Sequence, residues 1–306
     1  MSKSKVLIGL DKSGSYRVHL TITTGIVEEA RKMHNTTPLA TAGLGRVLTA
    51  TGMMSLQLKG KRDKISVLFQ GDGPAKQILA TGYASGQIKG YISNPDVDLP
   101  LTKEGKLDVG GSLGIGQLTV TKDLGLKEPY VGSIALVSGE IADDLTAYYY
   151  ISEQQNTSIA LGVKVGVDQQ VLAAGGMFIQ MLPNAQDEAI DALEKMLADV
   201  KPMTTNIEEV VLAGAGKSEE GLLVDLMDKI FADIDDEFKP EVLEYKEMEF
   251  KCDCSRERLE KALMTIGKKD LTEILEKDGQ AELECHFCGK KYIFDEADIK
   301  KMLENM

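Results

Sequence analysis

The chain has 306 residues, 43% of them apolar, and a formal net charge of −13. Its apolar runs are shorter than the ~20 residues of a membrane-spanning helix, and the apolar stretch 6–10 is shorter than the ~7–15 residues of a secretory signal, so we expect a cytoplasmic protein. Residues 1–176 carry 18 Lys and Arg against 16 Asp and Glu, whereas residues 177–306 carry 17 against 32. Neither part offers a basic surface for nucleic acid, so we expect neither a specific nucleic-acid partner nor a membrane partner.

Short strand-like runs separated by turn residues dominate residues 1–182. The β-rich runs 64–70 and 87–92, for example, end at Gly-Asp-Gly-Pro and Asn-Pro turns, a pattern typical of strands joined by turns. Apolar residues at helical spacing interrupt these runs at about 38–58 and 138–153. Strands with a few helices predict an α+β domain in which antiparallel sheets pack on helices.

Helical periodicity replaces the strand pattern over residues 183–240, which we interpret as a helical linker. Nine of the 13 methionines lie between residues 177 and 306. Flexible thioethers suit adaptable apolar surfaces, although they also fill ordinary helix cores. Two apolar stripes in the linker therefore form a candidate protein-binding surface: Leu193, Met196, Leu197, Leu222, Leu226, Met227 and Phe231.

Residues 241–306 form the last segment, and every cysteine of the chain lies in it. Ser255 is a suitable N-cap for a helix that ends at Gly267, a second helix starts near Asp270, and a hairpin over 281–294 precedes a last helix. So small a segment, with few large apolar side chains, does not easily form a stable core. A bound metal would supply the missing stability, on the order of 10–16 kcal/mol for zinc in small peptides.

The four cysteines form two tight pairs, Cys252 and Cys254 in a C-x-C motif and Cys285 and Cys288 in a C-x-x-C motif, with 30 residues between them. Four thiolates in two pairs suit a tetrahedral zinc site, and two short-range disulfides are the alternative. His286 lies inside the second motif, but four sulfurs already complete a tetrahedral set. In a reducing cytoplasm, clustered cysteines indicate metal binding or redox chemistry rather than permanent disulfides.

Three functions are compatible with such a site: a redox switch, a static zinc-ribbon adaptor for a protein or nucleic-acid partner, and a thiol–disulfide oxidoreductase. The C-x-C spacing argues against a static ribbon, because structural zinc sites usually place two to four residues between paired cysteines. Nearby basic residues would favour the thiolate form that oxidants attack; they are Lys251, Arg256, Arg258, Lys290 and Lys291. The sequence contains no evident Ser/His/Asp or Cys/His nucleophile arrangement, so we do not expect an enzyme.

Five segments along the chain form a specific combination, although any one glycine-rich segment alone would be weak. The C-terminal segments are F-K-C-D-C-S-R-E-R over 250–258 and E-C-H-F-C-G over 284–289. In the first domain the segments are G-L-G-R over 43–46, Q-G-D-G-P over 70–74 and S-G-E-I-A-D-D-L-T-A-Y-Y over 138–149. With these segments the chain resembles, over essentially its whole length, the heat-shock protein 33 family of redox-regulated chaperones.

The resemblance implies a fold and a mechanism. It implies an α+β core domain, a helical linker and a small zinc-binding domain in which the four cysteines hold one Zn²⁺ in the reduced, inactive protein. Oxidation would form the disulfides Cys252–Cys254 and Cys285–Cys288 and release the zinc. The linker would then unfold and bind unfolding client proteins without ATP, with the apolar stripes as the candidate client-binding surface. The family also implies a homodimer on activation.

Overall fold

The computed structural model describes residues 2–306, which fold as two compact units, a large unit that ends at Lys251 and a small unit over Cys252–Met306. The strands of the large unit are β1 (Lys3–Asp11), β2 (Tyr16–Ile22), β3 (Lys64–Gly71), β4 (Gln77–Tyr83), β5 (Gln87–Ile92), β6 (Gly116–Asp123), β7 (Tyr130–Ala135), β8 (Thr157–Val165), β9 (Val171–Met181) and β10 (Pro240–Phe250). Its helices are α1 (Thr24–His34), α2 (Pro38–Ser55), α3 (Val109–Leu113), α4 (Ala142–Ser152), α5 (Asp187–Asp199), α6 (Met203–Ala213) and α7 (Glu219–Ile230).

The strands of the large unit form one sheet in the order β7-β6-β3-β4-β5-β10-β1-β2-β9-β8. Their pairing is antiparallel except between β10 and β5, which run parallel. The predicted α+β class, with antiparallel strands packed on helices, is confirmed. In the described part of the chain, no helix is both long and apolar enough to cross a membrane.

Helix α2 is the central helix of the large unit and is buried almost throughout. The Thr37 hydroxyl caps it by accepting a hydrogen bond from the Ala40 N–H, and Pro38 occupies the first turn, where its missing N–H costs nothing. Gly45 allows α1 to lie close, because a Cβ at this position would come within 2.6 Å of a Val27 methyl carbon. One face of the sheet packs on α1, α2 and α4 to form the first core.

The predicted linker 183–240 forms α5, α6 and α7, and these helices pack on the other face of the sheet. Adjacent residues of β1 show the two faces: Val6 and Ile8 belong to the first core, whereas Leu7 belongs to a second core with the three helices. The helices are thus an ordered layer in this conformation. Their role as a separate linker stays a prediction.

Strand β10 belongs to the large unit, whereas the sequence placed most of its residues in the last segment. Residues 241–251, which the sequence assigned to the last segment, lie in the large unit, because β10 pairs with β1 from Pro240 to Glu249. The large unit therefore ends eleven residues later than the linker was predicted to end.

The small unit contains α8 (Arg256–Met264), α9 (Lys268–Lys277), the hairpin of β11 (Ala281–Glu284) and β12 (Lys291–Phe294), and α10 (Glu296–Glu304). The Ser255 hydroxyl caps α8 as expected, and Asp295 caps α10 in a capping box. The core of the unit is small: its buried members are Leu263, Leu271, Ala281, Tyr292, Phe294, Ile299 and Met302.

Candidate metal centre

Two short backbone segments of the small unit bring the four cysteines together. Cys252 and Cys254 lie in the stretch that leads into α8, and Cys285 follows β11. The turn after Cys285 is tight, because its carbonyl accepts hydrogen bonds from the N–H groups of Cys288 (3.1 Å) and Gly289 (2.7 Å). Gly289 has a φ of 66°, a left-handed conformation that favours glycine. The turn therefore directs two sulfurs towards the other pair.

The sulfur atoms have the spacing of a tetrahedral metal site. All four Sγ atoms lie within 4.8 Å of one another. Cys252 and Cys285 have Sγ atoms 3.7 Å apart, and those of Cys254 and Cys288 are 3.4 Å apart. Zn–S bonds of about 2.3 Å in a tetrahedron separate the sulfurs by roughly 3.8 Å, whereas a disulfide requires about 2.05 Å. The four free thiols thus fit a metal ion.

Hydrogen bonding and burial make the thiols unequal. Burial raises the pKa of Cys252 above the usual thiol range and that of Cys288 to about 11. Burial also opposes ionisation of Cys254, but hydrogen bonds from Tyr292 and Cys288 outweigh it and lower the Cys254 pKa. The Tyr292 hydroxyl lies 3.2 Å from the Cys254 sulfur. A thiolate set in these surroundings needs a compensating positive charge, which a divalent cation supplies.

Four of the five basic residues near the cysteines have carboxylate or aromatic partners. Arg256 pairs with Asp298 and lies 4.4 Å from the centre of the Phe294 ring. Arg258 pairs with Asp253 at 2.7 Å. Lys291 pairs with Glu282, and Lys290 lies over the Tyr292 ring. These contacts connect the cysteine segment and α8 with β12 and α10, so the cations brace the elements that hold the sulfurs.

His286 is not part of the clustered ligand set within residues 2–306, which consists of the four sulfurs. His19 and His34 lie in the large unit. The donor set is therefore all sulfur, which favours zinc over the harder cations that prefer oxygen.

The apolar stripes of the predicted linker are largely covered in this conformation. Leu193, Met196, Leu226, Met227 and Phe231 are buried in the second core. Leu197 and Leu222 are partly buried against it. A client could reach most of these side chains only after the helices move, so their binding role stays a prediction.

Sequence reasoning missed two features of the large unit. One is strand β10, whose buried residues Met248 and Phe250 directly precede the cysteines; their alternation with Glu249 was the available signal. The other is a cavity of about 770 Å³ that includes Tyr150, Ile159 and Leu197 in its wall. Residues far apart in sequence line it, so no local pattern indicates it.

Comparisons with known proteins agree with the resemblance seen in the sequence. A family profile described as "Hsp33 protein" matches residues 4–295. The chain is 46% identical to the "33 kDa chaperonin" of Alkaliphilus oremlandii over 98% of this chain and 96% of that one. It is 43% identical to the protein of the same name from Desulforamulus reducens, over 96% of this chain and 95% of the relative.

A solved structure agrees as well. The crystal structure of the 33 kDa chaperonin (heat shock protein 33 homolog) from Thermotoga maritima superposes with a TM-score of 0.85 and 31% identity, covering 98% of both chains. Sequence similarity and fold similarity therefore extend over nearly the whole molecule rather than over the cysteine segment alone. Because the family profile and these relatives each cover nearly the full length, the chain belongs to the Hsp33 family of chaperones.

Proposed function

We propose that this chaperone is a redox-regulated holdase that works without ATP and is inactive while its four cysteines hold zinc. The observation that carries the proposal is the sulfur cluster: four free thiols at metal-site spacing in a unit with a small core. Zn²⁺, one per chain, would be held by Cys252, Cys254, Cys285 and Cys288, and when bound it cross-links the two segments and supplies positive charge. X-ray absorption of the reduced protein should then give four Zn–S contacts near ~2.3 Å.

Oxidation would remove the ligands from the metal. Each disulfide forms as two thiolates lose two electrons, and one hydrogen peroxide molecule accepts these electrons together with two protons from solvent and becomes two water molecules. The pairs would be Cys285–Cys288 and Cys252–Cys254. The sulfur contacts of 3.7 Å and 3.4 Å cross between the motifs, but once the unit loosens, pairing within a motif closes a far shorter loop and loses less chain entropy.

Loss of the metal would unfold the small unit and loosen the chain before it. The small unit has few buried large side chains, so it depends on the metal more than a larger domain would. Release of α5 and α7 would uncover the apolar stripes, and exposed apolar surface of this kind binds other exposed apolar surface. The clients would be unfolding proteins, and the active form would be a homodimer in the cytoplasm, with no enzymatic reaction and no specific nucleic-acid or membrane partner.

A static zinc-ribbon adaptor is the second candidate, since the sulfur spacing suits a permanent metal site equally well. The two functions differ in what peroxide does. A switch loses zinc and gains amide exchange in the small unit, whereas a static ribbon keeps both its zinc and its protection.

The decisive experiment is light scattering of a heat-unfolding model protein in the presence of the reduced, zinc-loaded chain or the peroxide-treated chain, without ATP. We expect the oxidised form alone to suppress aggregation. Reduction with added zinc is the matched control, and it should return the same sample to inactivity. Equal suppression by the two forms would rule out redox regulation, and no suppression by either would rule out the holdase.

A further inference from the structure

We propose that β10 is an internal ligand in a strand-binding slot along β1, and that an extended apolar segment of an unfolding protein takes its place when β10 detaches. This inference rests on the proposed holdase function and assigns the client a site in the large unit. Main-chain pairing would provide the affinity, as in other complexes in which a peptide adds a strand to a sheet.

The slot has an apolar wall. Strand β1 pairs with β10 from Lys3 opposite Glu249 to Asp11 opposite Pro240, with an irregularity between Ile8 and Gly9. The central residues of β1 are fully buried on both faces of the sheet. Removal of β10 would therefore expose unpaired main-chain groups beside buried apolar side chains, which is the surface that recruits another strand.

Strand β10 adds few apolar contacts to this wall, and its ion pairs there, Glu247 with Lys3 and Glu241 with Lys12, are exposed and stabilise it little. Four of its eleven residues are glutamate, a residue depleted in strands, and only Pro240, Met248 and Phe250 are buried. On its other side, within the described residues, β10 pairs with β5 only through Glu249 and Phe250. Most of β10 thus forms main-chain pairs on one side alone and contributes little to either core.

The end of β10 nearest the cysteines holds the strand in place. Met248 lies against α2 so closely that a Cβ at Gly52 would meet its sulfur atom. The N–H groups of Glu249 and Lys251 donate to the carbonyls of Gly86 (2.9 Å) and Ile88 (2.8 Å). These anchors occupy the four residues directly before Cys252. Disorder that starts at the cysteines therefore reaches the anchors of β10 before any other part of the sheet.

This arrangement selects its ligand by chemistry. An extended segment with apolar residues at alternate positions, and without the acidic residues of β10, would match the wall of β1 better than β10 does. Main-chain hydrogen bonds do not depend on the identity of the ligand's side chains, so one slot serves many sequences. Unfolding proteins provide such segments in quantity, whereas folded proteins keep them covered.

Hydrogen exchange of β1, resolved to single amides, tests occupation of the slot in the full-length oxidised protein. We expect the β1 amides that pair with β10 to exchange freely after oxidation and to slow at least about tenfold when an unfolding client is added. Slowing that appears without client and rises with protein concentration would assign the slot to the β10 of a second copy, and no slowing in a chain that suppresses aggregation would place the client elsewhere. Either result overturns this proposal while the holdase function stands.

A peptide with the sequence of residues 240–250 but with threonine in place of its four glutamates provides an independent test on the wild-type chain, because threonine favours strands and the acidic residues that weaken β10 are then absent. Added to the oxidised protein, it should compete with the client and restore aggregation, whereas a scrambled peptide of the same composition should not. If the two peptides behave alike while the oxidised protein remains active, the slot is not the client site.

A variant of β10 distinguishes the effect of detaching the strand from the effect of losing the metal. Met248→Glu places a charge at a side chain that is 0% exposed, so β10 should detach and the reduced protein should hold clients with its zinc retained. Leu243→Glu makes the same change at a position on β10 that is 57% exposed, and it should leave the reduced protein inactive. A reduced, zinc-bound Met248→Glu protein with β10 detached but without holding activity would contradict the proposal. If that variant fails to fold, the peptide competition decides.

Discussion

Phe294→Ala should weaken metal binding although Phe294 supplies no ligand. Its ring is 0% exposed at the centre of the small core, beneath the Arg256 guanidinium, whose carbon lies 4.4 Å from the ring centre. Replacing a buried phenylalanine by alanine costs about 3–5 kcal/mol, because it removes buried apolar surface and leaves a cavity. In a small unit that folds only with its metal, metal binding must also fold the unit, so this loss of folding energy makes metal binding weaker by the same amount.

The expected change in affinity follows from that energy. At about 1.4 kcal/mol for each tenfold change, the zinc dissociation constant of the reduced protein should rise by a factor between roughly 10² and 4 × 10³. Competition against a chromophoric chelator measures it directly. Ile293→Ala is the matched control, since Ile293 is the preceding residue of β12 and is 52% exposed; surface changes of this kind alter stability by only about 0.5 kcal/mol.

The result would also test the dependence of the small unit on metal. If Phe294→Ala and Ile293→Ala bind zinc with affinities within about fivefold of each other, a difference of roughly 1 kcal/mol, then the unit is folded before the metal binds. Zinc release would in that case leave it folded, and oxidation could not unfold the chain through this site.

Three further predictions concern the thiols, the linker and a buried histidine. Peptide mapping during a peroxide time course should find Cys285–Cys288 formed first, since a C-x-x-C disulfide is less strained than a C-x-C one; dominant pairing between the motifs would contradict the proposed switch. Replacing Cys285 and Cys288 by serine should remove the metal and raise amide exchange over residues 183–240 while α2 stays protected. If residues 183–240 stay protected without the metal, the cysteine site does not control them. Burial, with the nearby charges of Arg17 and Lys246, lowers the pKa of His19 to about 4. Between pH 6.5 and 4 the unfolded chain therefore binds a proton that the folded chain does not, so the large unit should lose on the order of 3 kcal/mol as the pH falls through that window, and His19→Gln should flatten this loss in thermal unfolding scans.

The sequence predicted the features that depend on local patterns. The capping of α8 by Ser255 and the hairpin around the second cysteine pair follow from short-range patterns, the clustering of the four sulfurs follows from their shared metal-ligand chemistry, and the structure contains each of them. The helix expected over 138–153 begins at Ala142 instead. Its first predicted turn is taken up by N–H groups that donate to the buried Asp144 carboxylate, a cap that the apolar period does not reveal.

Long-range pairing explains what the sequence did not predict. Strand β10 is rich in glutamate, which strands disfavour, and the short alternation of Met248, Glu249 and Phe250 does not place it inside a large sheet. Its position is set by β1, more than two hundred residues earlier in the chain. The burial of the linker helices is a long-range effect of the same kind. Their apolar stripes were evident in the sequence, but the face of the sheet that buries the stripes was not.

The energy scale explains why a metal at the end of a strand can control a site elsewhere in the sheet. Keeping the slot open in fewer than 1% of molecules requires a bias of about 2.7 kcal/mol towards the closed state. A structural zinc site contributes on the order of 10–16 kcal/mol in small peptides, several times that requirement. Bound zinc can therefore keep the slot closed even though β10 is acidic and forms most of its main-chain pairs with β1 alone. Removal of the metal shifts the molecules towards the open state, although no residue of β1 changes. A strand that bound β1 tightly on its own would keep the slot closed after oxidation, so the weak hold of β10 on β1 is what lets the cysteines and their metal control the slot.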